Sequence, residues 1–283
     1  MINYERCTPN DIDDMFEAFT KGFSDYIVKF DLTKERFIEL FLNIEGNSLE
    51  YSYMAKDGNT PIGLMLGGIK TYEGVKTLRC GTLAIDPQYR KQGIAQELFN
   101  RHVDMGKKQD CQQLFLEVIK GNDKAIRFYL KQGYDIKYDI FYYQKKDVSS
   151  LKDIASPKLQ IKEIGYDQAK AFYLARDRSH INWQNDFDYQ SHFKNILYLG
   201  AYQEGLLVGV LALTQIGKIF YLYVIKSYRL KGIGKQLLSD AVKLHNIPSL
   251  HLSMTNNDAL RAFLEKLGFE LQPLSQHEMY LPL

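Results

Sequence analysis

The segment Tyr89–Phe99, YRKQGIAQELF, sets three polar side chains before a glycine that opens an amphipathic run. The first amides of a helix lack internal partners and carry partial positive charge, so a helix opening at Ile94 presents an anion site. Gly93 removes the Cβ that would hold an anion off the backbone, and Ala95 is small enough to keep that approach open. Arg90 adds a fixed, planar charge suited to phosphate. Arg90, Lys91, Gln92, Gly93, Ile94 and Ala95 together read as a phosphate cradle. The turn lacks the spacing and Gly-Lys-Ser/Thr of a P-loop, and it has neither GxGxxG nor a suitably placed acid after a parallel strand. Nucleotide hydrolysis and hydride transfer therefore fall away. A basic turn with no ligand is the alternative for either copy alone. It is weakened because the pattern recurs at Tyr228–Leu238, YRLKGIGKQLL, with Arg229, Gly232 and Gly234 in the corresponding places.

Each cradle must sit between a strand and a helix, and the chain supplies both twice. In the first half, Thr8-Pro9-Asn10-Asp11 opens one helix and Thr33–Ile44 forms a second helical stretch. Two strands joined at Asp57-Gly58-Asn59 follow, then VKTLRCGTLAI, which ends before Pro87 because proline cannot donate to a ladder. The helix Ile94–Lys108, the strand LFLEVI, a helix from about Asn122 and the strand material YDIKYDIFYYQKK complete the set. The polar segment 147–158 reads as a linker. The same order then repeats, with a turn at Gly205, a helix entered at Gly232, another over about 259–267, and a closing strand. Two like domains are expected, 1–146 and 159–283, each a mixed α+β layer.

Bulk properties set the bounds. A chain of 283 residues suggests two domains, and 45% apolar with 25% charged residues is ordinary for a globular protein. A net charge of +2 argues against nucleic acid or an anionic membrane as partner. No window approaches the ~18–20 apolar residues of a membrane span, and no secretory signal is visible. Cys7, Cys80 and Cys111 are few, odd in number and without metal spacing, and the six histidines show no paired metal spacing. A cytoplasmic protein without a metal site is expected.

With both halves laid out, the chain resembles the GNAT superfamily of acetyl-CoA-dependent N-acetyltransferases. Residues 83–95, LAIDPQYRKQGIA, are similar to its acetyl-CoA motif Q/R-x-x-G-x-G/A. Residues 117–135, EVIKGNDKAIRFYLKQGYD, are similar to its second signature through Asn122, Ala125, Tyr129, Gly133 and Tyr134. The resemblance covers most of 1–146 and, more weakly, 159–283. It implies two tandem GNAT-like domains, each a twisted, mostly antiparallel mixed sheet flanked by helices. It implies acetyl-CoA as acyl donor: backbone groups along Leu83, Ala84 and Ile85 pair with the pantetheine arm, and the cradle holds the pyrophosphate. Asn122 contacts the donor near its thiol, and Tyr129 protonates the departing thiolate, as a phenol neutral at pH 7 can. Taken alone, Asn122 could be a helix N-cap and Tyr129 a core residue. In the second half Asn257 stands for Asn122 and Leu264 for Tyr129, or Phe263 in a register one residue different. Neither side chain donates a proton, so Arg229, Gly232, Gly234 and Asn257 could bind donor without catalysis.

The expected reaction is direct attack of a primary amine, on a small molecule or peptide, upon the thioester in a ternary complex. The strand TLRCGTLAI holds no carboxylate, so Glu117 on the next strand is the first choice of base, directly or through water. Deprotonation by water alone is equally acceptable. Cys80 tempts towards an acetyl-cysteine intermediate, but no nearby histidine activates it and packing is favoured. The segment 22–32 lies where relatives of this fold place acceptor-binding elements, so Asp25, Tyr26 and Asp31 are candidates to line an amine pocket. A rival reading is a non-catalytic acetyl-CoA sensor or scaffold, and a homodimer is also conceivable.

Overall fold

The computed structural model describes residues 1–151, 159–176 and 179–283. In chain order it contains β1 (Ile2–Arg6), α1 (Ile12–Gly22), α2 (Lys34–Phe37, continued as a π-helix over Ile38–Ile44), β2 (Ser48–Asp57), β3 (Thr60–Tyr72), β4 (Val75–Ile85), α3 (Ile94–Lys108), β5 (Gln113–Ile119), α4 (Asp123–Lys131) and β6 (Asp135–Lys145). The second half has β7 (Gln160–Glu163), α5 (Tyr166–Arg176), α6 (Phe187–Ser191), β8 (Ile196–Gln203), β9 (Leu206–Thr214), β10 (Lys218–Val224), α7 (Ile233–His245), β11 (Leu250–Met254), α8 (Asp258–Lys266) and β12 (Glu270–Pro282).

Local sequence explains the helices. Along α1 the buried residues Met15, Ala18, Phe19 and Gly22 recur at helical spacing, with Asp13 and Asp14 in the first turn and Lys21 in the last, as the helix dipole favours. Thr33 caps α2 by accepting the Arg36 amide at 3.3 Å. In the strands, two-residue alternation gives way to continuous burial in β3, where Ile62, Leu64, Met65 and Leu66 are all fully covered because helices pack on both faces.

Two units result: Met1–Tyr138 with Gln276–Leu283, and Asp139–Ser275. In the first, strands run in the order β1-β2-β3-β4-β5, and residues Gln276–Pro282 of β12 pair antiparallel with β5. The second runs β7-β8-β9-β10-β11, with Phe141–Lys145 of β6 pairing antiparallel with β11. Within each, the pairs are antiparallel except β4–β5 and β10–β11. The sequence division at 146 and 159 is therefore corrected. The strand after α4 belongs mostly to the second unit, and the last strand completes the first. Val148 and Leu151, inside the expected linker, are buried in the second unit's core. Its remainder, 152–158, lies outside the described residues.

In the first unit one face of the sheet carries α3 and α4 over Leu78, Cys80, Leu114 and Leu116, and the other packs α1 and α2 over Met54, Leu64 and Leu66. Each fully buried leucine contributes roughly 1.5–3 kcal/mol of transfer free energy. The second unit's core gathers Leu199, Leu211, Leu213, Leu237, Leu238 and Leu264.

Candidate active site

A gap in the sheet organises the site. The parallel ladder between β4 and β5 runs from Thr77↔Gln113 to Arg79↔Phe115 and stops, although β4 continues to Ile85 and β5 to Ile119. The cause lies at Gly81. In the β3–β4 ladder Gly67 faces Cys80 and Leu66 faces Thr82, so Gly81 is an extra, bulged residue that bends β4 away. A Cβ at Gly81 would lie 2.2 Å from the Asn47 side chain. Past the bulge, Leu83, Ala84 and Ile85 pair with β3 along one edge and turn the other towards the gap. β5 does not cover that edge, so an extended ligand can run along it.

The cradle follows at once. Pro87–Tyr89 forms a single 3-10 turn, and Lys91 and Gly93 take left-handed φ of 65° and 84° before α3 begins at Ile94. Gly93 is thus required by its backbone conformation, and nothing lies within 4 Å of where its Cβ would be. The space an anion needs is open. Arg90 is already engaged. Its guanidinium holds Asp25 through two bonds of 2.6 and 2.7 Å and donates to the carbonyls of Gly22 at 3.0 Å and Ile85 at 3.1 Å. Gly22 permits this, because a Cβ there would meet the Ala84 Cβ at 2.7 Å. One residue on, Tyr26 is hydrogen-bonded to Asn122, whose side-chain oxygen also caps α4 by accepting the Ala125 amide at 3.3 Å. The loop after α1, stiffened by Phe19–Phe23 (4.7 Å) and Phe23–Phe30 (5.2 Å) ring contacts, thus ties the cradle to the start of α4. Asp31 is exposed in the same loop.

Tyr129 lies on α4, 7% exposed, with its hydroxyl 3.9 Å from the Cys80 sulfur. Burial pushes its phenol well above the ordinary value, so it stays protonated at any working pH. Cys80, buried beneath it, is pushed up to about 11 by the same desolvation, which argues against a nucleophilic thiolate. Glu117 faces the opposite side of the sheet, since successive residues of β5 alternate and Leu116 joins the Tyr129 core. Its Oε2 accepts from Arg79 at 2.6 Å, while its buried Oε1 has no hydrogen-bond partner. The other end of the Arg79 guanidinium binds Glu45. Burial, with the neighbouring carboxylates of Glu45 and Glu278, outweighs the attraction of Arg79 and raises Glu117 to about 7. Acid and base candidates therefore reach the sheet from its two faces, at the strands whose separation opens a way between them.

The second unit repeats the frame and loses the chemistry. Its ladder β10–β11 stops after Ile219↔Leu252, and Phe220 is the bulged residue. Leu230 and Gly232 take φ of 63° and 81°, matching Lys91 and Gly93, and Asn257 caps α8 by accepting the Leu260 amide at 3.0 Å. Equivalent caps fix the register, so Leu264, fully buried, stands where Tyr129 does. Gly234 is small for another neighbour, since its Cβ would meet the Phe263 ring at 3.1 Å. Arg229 donates to the Val224 carbonyl at 2.9 Å, as Arg90 does to Ile85, but its guanidinium stacks on Tyr223. Counting from the bulges, Lys218 replaces Arg79 and Ser253 replaces Glu117. Ser253 is met by a neutral network: Asn185 donates to its carbonyl at 2.8 Å, and Gln190 donates to the Asn185 carbonyl at 2.8 Å. Loss of the carboxylate at 253 was not read from the sequence, because a one-residue difference before Asn257 obscures the alignment.

A split mixed sheet with a strand-to-helix anion turn at the split defines an acyl-CoA-type acyltransferase fold. Comparison with known proteins agrees: residues 12–134 match the acetyltransferase (GNAT) family and residues 194–271 an acetyltransferase (GNAT) domain, and the chain belongs to the GNAT acetyltransferases. It is 30% identical over 110 residues, 38% of this chain and 73% of the relative, to N-alpha-acetyltransferase 30 of Schizosaccharomyces pombe. A tandem GNAT protein from the clavulanic acid biosynthesis pathway superposes with a TM-score of 0.70 at 13% identity, covering 100% of this chain and 98% of that one. A probable N-acyltransferase from Enterococcus faecalis V583 gives 0.69 at 14% identity, covering 100% and 72%. Among the described residues no helix is long and apolar enough to cross a membrane.

Proposed function

We propose that the first unit is an N-acetyltransferase that moves an acetyl group from acetyl-CoA to a primary amine, and that the second is a non-catalytic partner. The observation that carries this is the contrast between Tyr129 and Leu264 at one position of two otherwise matching frames. The donor fits what the chain offers: an open, left-handed cradle at Gly93 and a β4 edge from Leu83 to Ile85 that the β5 ladder leaves uncovered. Acetyl-CoA supplies an activated acyl group. Glu117 takes a proton from the ammonium of the acceptor, and the β4 edge and cradle orient the thioester. As the N–C bond forms and the C–S bond breaks, Tyr129 delivers its proton to sulfur. Asp25, Tyr26 and Asp31 border the acceptor side, with Asp25 shared with Arg90.

The name of the yeast relative makes peptide N-termini the first acceptors to try, beside small amines. A CoA-release assay over such a panel tests the reading. Wild type should show amine-dependent release, and Tyr129→Phe should lower kcat by roughly 10²- to 10⁴-fold without weakening donor binding. A wild type that binds acetyl-CoA but releases no CoA with any amine would move the assignment to a sensor.

A further inference from the structure

We infer that Glu278, brought into the first unit by β12, is a positioning residue that acts through Glu117 and governs when that carboxylate can accept a proton. The inference rests on the reading of Glu117 as base. In the β5–β12 ladder Glu278 stands directly opposite Glu117, a placement that brings Cβ atoms to about 4.5–5.5 Å. Glu278 is fully buried and the Glu117 side chain is 2% exposed. A carboxylate placed there disfavours charge on Glu117 and, after burial, is among the causes that raise it.

The groups packed around Glu117 come from β4, β12 and the segment after α2. Arg79 from β4 is shared between Glu117 and Glu45. Tyr280, also on β12, donates to Glu278 Oε2 at 3.2 Å and is itself near Tyr72 and Glu73. That bond holds the Glu278 carboxyl in place on β12, across the ladder from Glu117. Beside burial, Glu45 and Glu278 both raise Glu117, against the attraction of Arg79. The second unit gives an internal control. Where Ser253 replaces Glu117, its cross-strand neighbour is Tyr142 and not a carboxylate. The opposing acid is present only where there is a base for it to act upon.

The pH dependence of kcat/KM in the full-length protein, with acetyl-CoA and the best amine of the panel, tests this. Glu278→Gln should move the acidic limb to lower pH by about one unit, because Glu117 then faces Arg79 with one opposing charge fewer, Glu45 remaining. Tyr280→Phe, which keeps the ring and its packing, should move it the same way by less and serves if Glu278→Gln does not fold. A limb that survives Glu117→Gln would remove the base reading itself. A limb that vanishes in Glu117→Gln yet stays in place in the Glu278 and Tyr280 variants would overturn only the role given to Glu278. A purely structural contact would lower rate or yield at every pH without moving the limb.

Discussion

Tyr129 and Glu117 are buried side chains, and the acid and base roles proposed for them rest on what burial does to each. Desolvation keeps the phenol protonated until a strongly basic thiolate appears beside it, and it lifts the carboxyl towards neutrality. The proposed base works only when deprotonated, so activity should fall as pH drops through about 7, and a stopped assay across buffers would show it. The same shift acts on stability in the other direction. A carboxyl raised in the folded state binds its proton more tightly there than in the unfolded chain. Its stabilising contribution is full below the unfolded value and is lost as pH rises through about 7. Thermal melts should therefore show this site helping stability at acidic pH, where activity is lowest. Cys80, with its thiol raised to about 11, should tolerate Cys80→Ala with kcat changed no more than a few-fold, and a trapped acetyl-cysteine in wild type would contradict that.

Strands, turns and helices were unequally legible. The cradles, their helices and the asparagine caps follow from glycine, amphipathic spacing and side-chain acceptors, all local signals. The bulges that split the sheets do not: Gly81 hints at one, but Phe220 gives no sign, because a bulge is set by the neighbouring strand. Nor did residue type reveal that Asp25 is held by Arg90, since ion pairs across distant segments leave no periodicity. Two predictions belong here. Gly93→Ala and Gly232→Ala both force a side chain into a left-handed backbone, costing about 1 kcal/mol each by denaturant titration. Only Gly93→Ala should also weaken acetyl-CoA turnover. Asp25→Ala frees the Arg90 fork, and calorimetry should find donor affinity improved by a modest factor, as suits a half-exposed ion pair worth about 0.2–1 kcal/mol. Unchanged or weaker affinity would make the pair a clasp for the loop instead of a rival to phosphate.

At the scale of the molecule, the repeat was readable and the boundary was not. β6 and β12 carry similar alternation, and either could have closed either sheet, so only the fold shows that each serves mainly the other half. A fragment of residues 1–146 lacks the strand that covers β5 and should show neither cooperative unfolding nor acetyl transfer, by circular dichroism and CoA release. A rearranged chain that places residues 276–283 directly after residue 138 should recover both. The exchange also orders events in time. During synthesis residues 1–138 emerge well before residues 276–282, so the first unit waits with the edge of β5 bare until Pro282 has been added, and such edges invite mispairing. Ladders between such distant segments form slowly. Assembly of the first unit thus depends on a segment far along the chain, and acetyl transfer is expected only once residues 276–282 have paired with β5.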